Sequence, residues 1–297
     1  MGRTEIAAED LELALDSGAE LGEGPVWDDR AAVLWWVDIK GERVHRFDPA
    51  DRSDTSWEVG GQVGSIALRE SEPGVVLALP NGFSILDTVT GAVTERLPIE
   101  ADLPGNRMND GLCDARGRFW AGTMFTGPGR RATGSLYRLD PDWTATKVLD
   151  GIQTSNGIDW SNDGRTMYFA DTPTQRIDAF DVDPESGTLS NRRTVLHIPQ
   201  EDGGPDGMIL DAEDHLWIAL WGGGQVRRYT PDGELDTVVH IPAHRVTKCA
   251  FGGPDLQDIY ITSAWVGDDE RKRYPRAGGV FRCRTGVRGR PTTRFAG

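Results

Sequence analysis

Lysine is nearly missing from this 297-residue chain and occurs only at Lys40, Lys147, Lys248 and Lys272. With 47 acidic against 32 basic residues the net charge is −15. Such a chain has little basic surface for neutralising phosphates, which argues against nucleic-acid binding. The acidity itself reads as a solubility feature, with salt adaptation as the alternative. Cysteine is confined to Cys113, Cys249 and Cys283, an odd number at wide spacing. That pattern argues against a disulfide frame or a zinc knot and fits a reducing compartment. The longest apolar run, Ala31 to Val37, has seven residues, far below the roughly 20 of a membrane helix. Residues 1–5 lack the apolar core of a secretory leader. Ile6 stands where acylation of Gly2 requires Ser or Thr, so a cytoplasmic protein is expected.

Several catalytic signatures are also missing. The five histidines show no HExxH spacing, and there is no GxSxG elbow. Gly222–Gly224 leads neither into a helix nor into a GK[ST] motif, which excludes a phosphate loop of that kind. Cys249 has no evident base for a thiol nucleophile.

What is present is β-structure. Short runs rich in branched and aromatic residues, such as Val33–Val37, Val75–Leu79, Gly117–Ala121, Met167–Ala170 and His215–Leu220, alternate with Asx/Gly turns. The runs repeat. Units open at Glu23, Gly64, Asp110, Asn156, Asp206 and Lys248, at intervals of 41, 46, 46, 50 and 42 residues. A period near 45 residues with four strands per unit is that of a propeller blade. The expected fold is all-β, a six-bladed β-propeller forming one domain over residues 1–297. Leu11–Leu15 is expected to close the last blade against Val280–Arg282.

In a propeller the innermost strands run the same way around a channel, so equivalent residues gather at one mouth. Five of the six unit-opening residues are polar. Asp or Asn before Gly is also a common turn residue, so each alone reads as a cap. Their shared repeat position favours a cation site instead, because converging carboxylates repel unless a cation joins them. Glu23, Asn156 and Asp206 are the expected ligands of one divalent ion. Oxygen donors suit Ca²⁺, Mg²⁺ or Mn²⁺, and less readily Zn²⁺ or Fe²⁺. Beside them, Arg107 and Asn109 alternate with Met108, an arrangement that suits gripping hydroxyl or carbonyl oxygens at the same mouth, although Arg107 alone reads equally as a surface salt bridge.

The segments Gly22–Trp27, Arg107–Gly111 with Gly117–Met124, Ser155–Trp160, Ile177–Asp181, Ser190–Arg193, Pro205–Met208 and the ending Phe295–Gly297 together resemble the SMP-30/gluconolactonase/luciferin-regenerating-enzyme family across the whole chain. The resemblance implies a six-bladed propeller with one divalent metal in its channel, bound by Glu23, Asn156 and Asp206. It places Arg107 and Asn109 at the substrate with Asp110 beside them. It also implies hydrolysis of a small-molecule sugar lactone to the aldonic acid. Asp206 is then the expected general base. Where some members carry acidic residues after the stretch matching Ala121–Met124, this chain continues Phe125–Thr126–Gly127–Pro128, so its pocket rim differs. Two other readings stand beside this one: a metal-dependent hydrolase of other lactones or esters, with Phe125 and Trp221 as an apolar rim, and a calcium-binding, non-enzymatic propeller.

Overall fold

The computed structural model describes residues 3–297; Met1 and Gly2, and with them the acylation question, lie outside it. Four four-stranded antiparallel sheets follow one another along the chain. The first is Gly22–Asp28, Val33–Asp38, Arg43–Asp48 and Ser53–Glu58, and the other three repeat its simple meander. The remaining strands form a nine-stranded sheet. A single residue pairing, Trp221 with Arg245, joins its two halves. One half is built on Gly204–Leu210 and the other on Arg245–Gly252.

The first strand of each meander is an inner strand. These are Gly22–Asp28, Ser65–Leu68, Asn106–Cys113, Ser155–Trp160, Gly204–Leu210 and Arg245–Gly252. Each packs against the next, and Arg245–Gly252 returns to Gly22–Asp28, so the ring closes. The sheets radiate from this ring as a β-propeller. The core is correspondingly divided into wedges between neighbouring sheets. Trp35, Val44, Ile66 and Leu77 fill the wedge between the first and second sheets, and Trp27, Trp36, Phe47 and Tyr260 fill the one that closes the circle. Six of the ten tryptophans are buried in these wedges.

The predicted closure is present: Glu12–Leu15 pairs antiparallel with Val280–Arg284, Leu13 opposite Phe281. An unpredicted strand, Thr4–Ile6, lies parallel to Leu235–His240 and covers that sheet edge too. Gly117 and Arg118, read as strand, belong to the preceding turn. Asp114 in that turn accepts bonds from the Arg118 guanidinium at 2.6 Å and the Trp120 indole at 2.8 Å. Asp211 serves Arg228 and Trp217 in the same way, so part of the acidity builds turns. The three cysteines are free and buried, and Cys249 faces the core. No helix among the described residues is long and apolar enough to cross a membrane.

The ending Phe295–Gly297 is built into the fold at the far end of the inner strands. Phe295 donates from its amide to the Leu68 carbonyl at 2.7 Å, and its buried ring meets Trp143 edge-on at 5.3 Å. Phe295→Ala is expected to lower stability by about 3–5 kcal/mol in chemical denaturation.

Candidate functional site

The ring residues stand at irregularities of their strands. Register shifts fall between Glu23 and Val26, Met108 and Gly111, Asn156 and Ile158, Pro205 and Met208, and Val246 and Lys248. A bulge re-aims a side chain that regular pleating would direct elsewhere. Recurring at one repeat position, it turns these polar side chains toward the axis. A glycine follows Glu23, Asp110, Asn156 and Asp206, and at Gly111, Gly157 and Gly207 the missing side chain lets neighbouring inner strands close up. A Cβ on Gly157 would come within 2.7 Å of the Asp206 carbonyl, and one on Gly207 within 2.4 Å of the Lys248 side chain.

A cavity of about 480 Å³ opens on this mouth. Glu23, Arg107, Asn109, Asn156 and Asp206 all line it, so five of the six expected site residues come together there. The sixth, Asp110, is buried but does not line the cavity; it is ion-paired with Lys248. Its placement beside the substrate, expected from sequence, is therefore not a direct contact with the cavity. Phe125 and Trp221 line the mouth as expected, and Trp265 and Val266 add to its apolar rim.

A hydrogen-bond chain fixes the polar groups across three inner strands. Arg107 donates to the Asn109 side-chain oxygen at 2.7 Å. Asn109 donates to the Ser155 carbonyl and to Asn156 Oδ1, both at 2.8 Å. Asn156 Nδ2 donates to the Thr172 hydroxyl at 2.7 Å, and that hydroxyl donates onward to the Pro205 carbonyl at 2.7 Å. Because the hydroxyl proton is spent on Pro205, its oxygen must accept, which sets Asn156 Nδ2 toward Thr172 and Oδ1 toward Asn109. Thr172 was not anticipated. A signal existed: second strands run antiparallel to inner strands, so Asp171 is opposite Ser155 and the residue after it reaches the same mouth.

The carboxylates are held differently. Glu23 accepts one bond, from the Gly24 amide at 2.7 Å. Among the described residues no donor reaches the Asp206 carboxylate. Burial first, and then the charge of Asp110, pushes Glu23 up to about 8. Burial and the charges of Glu23 and Asp110 raise Asp206 well above the ordinary carboxylate range. Arg107 is lowered to about 10 by burial, opposed by Glu23 and Asp206. Two under-coordinated carboxylates and a fixed amide oxygen on one cavity are a hard-oxygen donor set, and they fit a divalent cation. A second cluster, Asp211, Glu213 and His215, is different in kind. Arg228 bonds both carboxylates there, so the group is an ion-pair network.

The SMP-30/Gluconolactonase/LRE-like region matches residues 21–265 of this sequence. The chain belongs to that family. It is 42% identical to Xenopus laevis regucalcin over 295 residues, covering 97% of this chain and 98% of that one. It is 38% identical to Bacillus subtilis YvrE, provisionally named a sugar lactone lactonase, with 97% and 99% covered. A crystal structure of regucalcin from Agrobacterium tumefaciens, described as a calcium-binding protein, superposes with a TM-score of 0.92 at 32% identity, covering 98% of this chain and 99% of that one. The family assignment agrees with the resemblance carried by the named segments, and the propeller with the reading of the repeats.

Proposed function

We propose that this chain hydrolyses a sugar lactone to its aldonic acid with the aid of a divalent cation held by Glu23, Asn156 and Asp206. We read the nine-stranded sheet as two blades sharing one residue pairing, which makes six blades in a single domain. The observation that carries the reading is the Asp206 carboxylate, buried on the cavity with no hydrogen-bond donor and facing the charge of Glu23. Such a group needs either a proton or a cation. The family's gluconolactonase members and the lactonase name of a 38% identical relative point to the same chemistry.

A bound cation would supply Lewis acidity toward the lactone carbonyl and lower the pKa of a water. Asp206, with one oxygen to spare, takes the proton of the attacking water. Arg107 has N–H groups beyond those used on Met108 and Asn109 and orients the sugar oxygens. Asn109 spends both amide hydrogens on Ser155 and Asn156, so it also braces a ligand. Asn109→Ala is accordingly expected to raise KM and to weaken cation binding together, in lactone kinetics and metal titration.

Chelator-stripped protein tested on aldonolactones, with Ca²⁺, Mg²⁺, Mn²⁺, Zn²⁺ and Fe²⁺ returned singly, tests the reading. Restored acid release above the spontaneous blank on one or two lactones supports it. The apolar rim of Phe125, Trp221 and Trp265 favours a second reading, a lactone or ester bearing an apolar group. Turnover of aryl esters in preference to aldonolactones would shift the assignment there.

A further inference from the structure

One ring residue has no role in the reading above. Lys248 opens the last unit and is 2% exposed, whereas the other three lysines are all exposed. Its stem crosses Gly207, where any side chain would collide with it, and its ammonium bonds Asp110 on the Asn106–Cys113 strand. The ammonium also lies 3.3 Å from the Gly111 carbonyl. Asp110 Oδ1 takes both this bond and one from the Gly111 amide at 2.7 Å, while Oδ2 is buried without any partner. A buried ion pair of this kind is costly, and it strands a charge if either member is lost. Its position matters: the charges of Asp110 and Lys248 both act on Glu23 and on Asp206.

We propose that Lys248 is a positioning residue that cancels the third carboxylate of the channel and thereby limits how tightly the site holds a divalent cation. The proposal rests on Glu23, Asn156 and Asp206 being the cation site. Three carboxylates face the axis here: Glu23, Asp110 and Asp206. Arg107 and Lys248 oppose them, leaving one net negative charge once Glu23 and Asp206 have released their protons to a cation. A divalent cation turns that into one net positive charge, which suits a site where an oxyanion and then a carboxylate product form. Without Lys248 the same cation would meet two net negative charges and leave the loaded site neutral. Ligand charge count is a principal determinant of affinity for hard cations, and a unit charge in a buried site is poorly screened.

Cation affinity of the purified protein is the readout, measured by calorimetric titration of Mn²⁺ and Ca²⁺ into metal-stripped protein. Lys248→Met should tighten both ions by about tenfold or more. Asp110→Asn, which leaves the ammonium unopposed, should weaken them by a similar factor. The double variant, lacking both charges, should return to within about threefold of the parent protein. A merely structural role for the pair would instead weaken binding in both single variants as the folded state loosens. Unchanged or weaker binding by a Lys248→Met protein with a native circular dichroism spectrum overturns the proposal. If Lys248→Met does not fold, Asp110→Asn decides: affinity equal to or tighter than the parent overturns it. A parent protein that binds neither ion overturns the cation-site reading as well, whereas a parent that binds with an insensitive Lys248→Met overturns the proposal alone.

Discussion

Asp206→Ala is expected to reduce lactone turnover by about 10³-fold or more, measured as kcat on the best lactone of the panel. Two losses combine in it: a cation ligand and the proton acceptor. Asp206→Asn separates them, because the amide keeps an oxygen for the cation and cannot take a proton. It should bind the cation more weakly than the parent yet measurably, and remain nearly as inactive as the alanine variant at saturating metal. Stability should move the other way. The Asp206 carboxylate is buried without a donor, so ionising it near neutral pH costs the metal-free fold free energy. Metal-free Asp206→Asn should therefore melt above metal-free parent protein at pH 8. A proposed base that destabilises its own fold is expected where the site is shaped for a partner that the chain does not supply. Activity within tenfold of the parent in Asp206→Asn would remove the base assignment.

The meeting of Glu23, Asn156 and Asp206 on one cavity was legible because it is written into the repeat. Glu23, Asn156 and Asp206 occupy one phase of a period near 45 residues, and the fold converts equal phase into equal height at one channel mouth. The bulges at that phase were not legible, since a register shift is a relation between two strands. Nor was the partner of Lys248. Phase places Lys248 and Asp110 on the same ring, but only the length of the lysine stem and the gap at Gly207 select a pairing across 138 residues of sequence. Outer strands left a faint trace for a different reason. Ser53–Glu58 is almost wholly exposed, so no apolar alternation marks it. Thr4–Ile6 is similar: its place is set by the open edge of Leu235–His240, more than 200 residues away. Local sequence carried the inner strands, which are buried on both faces, and lost information toward the rim, where solvent tolerates many side chains.

Removing the cation should make the fold sensitive to pH in a direction set by Glu23 and Asp206. Both carboxyls are raised in the fold, Glu23 from 4.5 to about 8. A raised carboxyl keeps its proton in the native state while the unfolded chain has released it. Its contribution to stability is thus fully present below the unfolded value and is lost as pH climbs through the native one. Metal-free protein should accordingly melt at progressively lower temperature between about pH 5 and 8. Glu23→Gln, which cannot ionise, should lose part of that slope. A divalent ion competes with the proton for the same oxygens, so its binding should release protons below pH 8 and tighten as pH rises. The melting-temperature gain on adding Ca²⁺ or Mn²⁺ should then be largest at the alkaline end. At hundredfold excess over Kd it corresponds to about 2.7 kcal/mol. Calorimetry in buffers of differing ionisation enthalpy counts the released protons. A metal-free melting temperature that stays flat or rises across this window, or binding without proton release at pH 7, would show that Glu23 and Asp206 are already ionised and balanced by the chain itself. Arg107 would then be their counter-ion, and the site would have no need of a metal. The predicted slope distinguishes these cases because Arg107 is a permanent cation at these pH values: a guanidinium already paired to the carboxylates holds them ionised at every pH tested, whereas an exchangeable ion leaves them to take up protons when it departs.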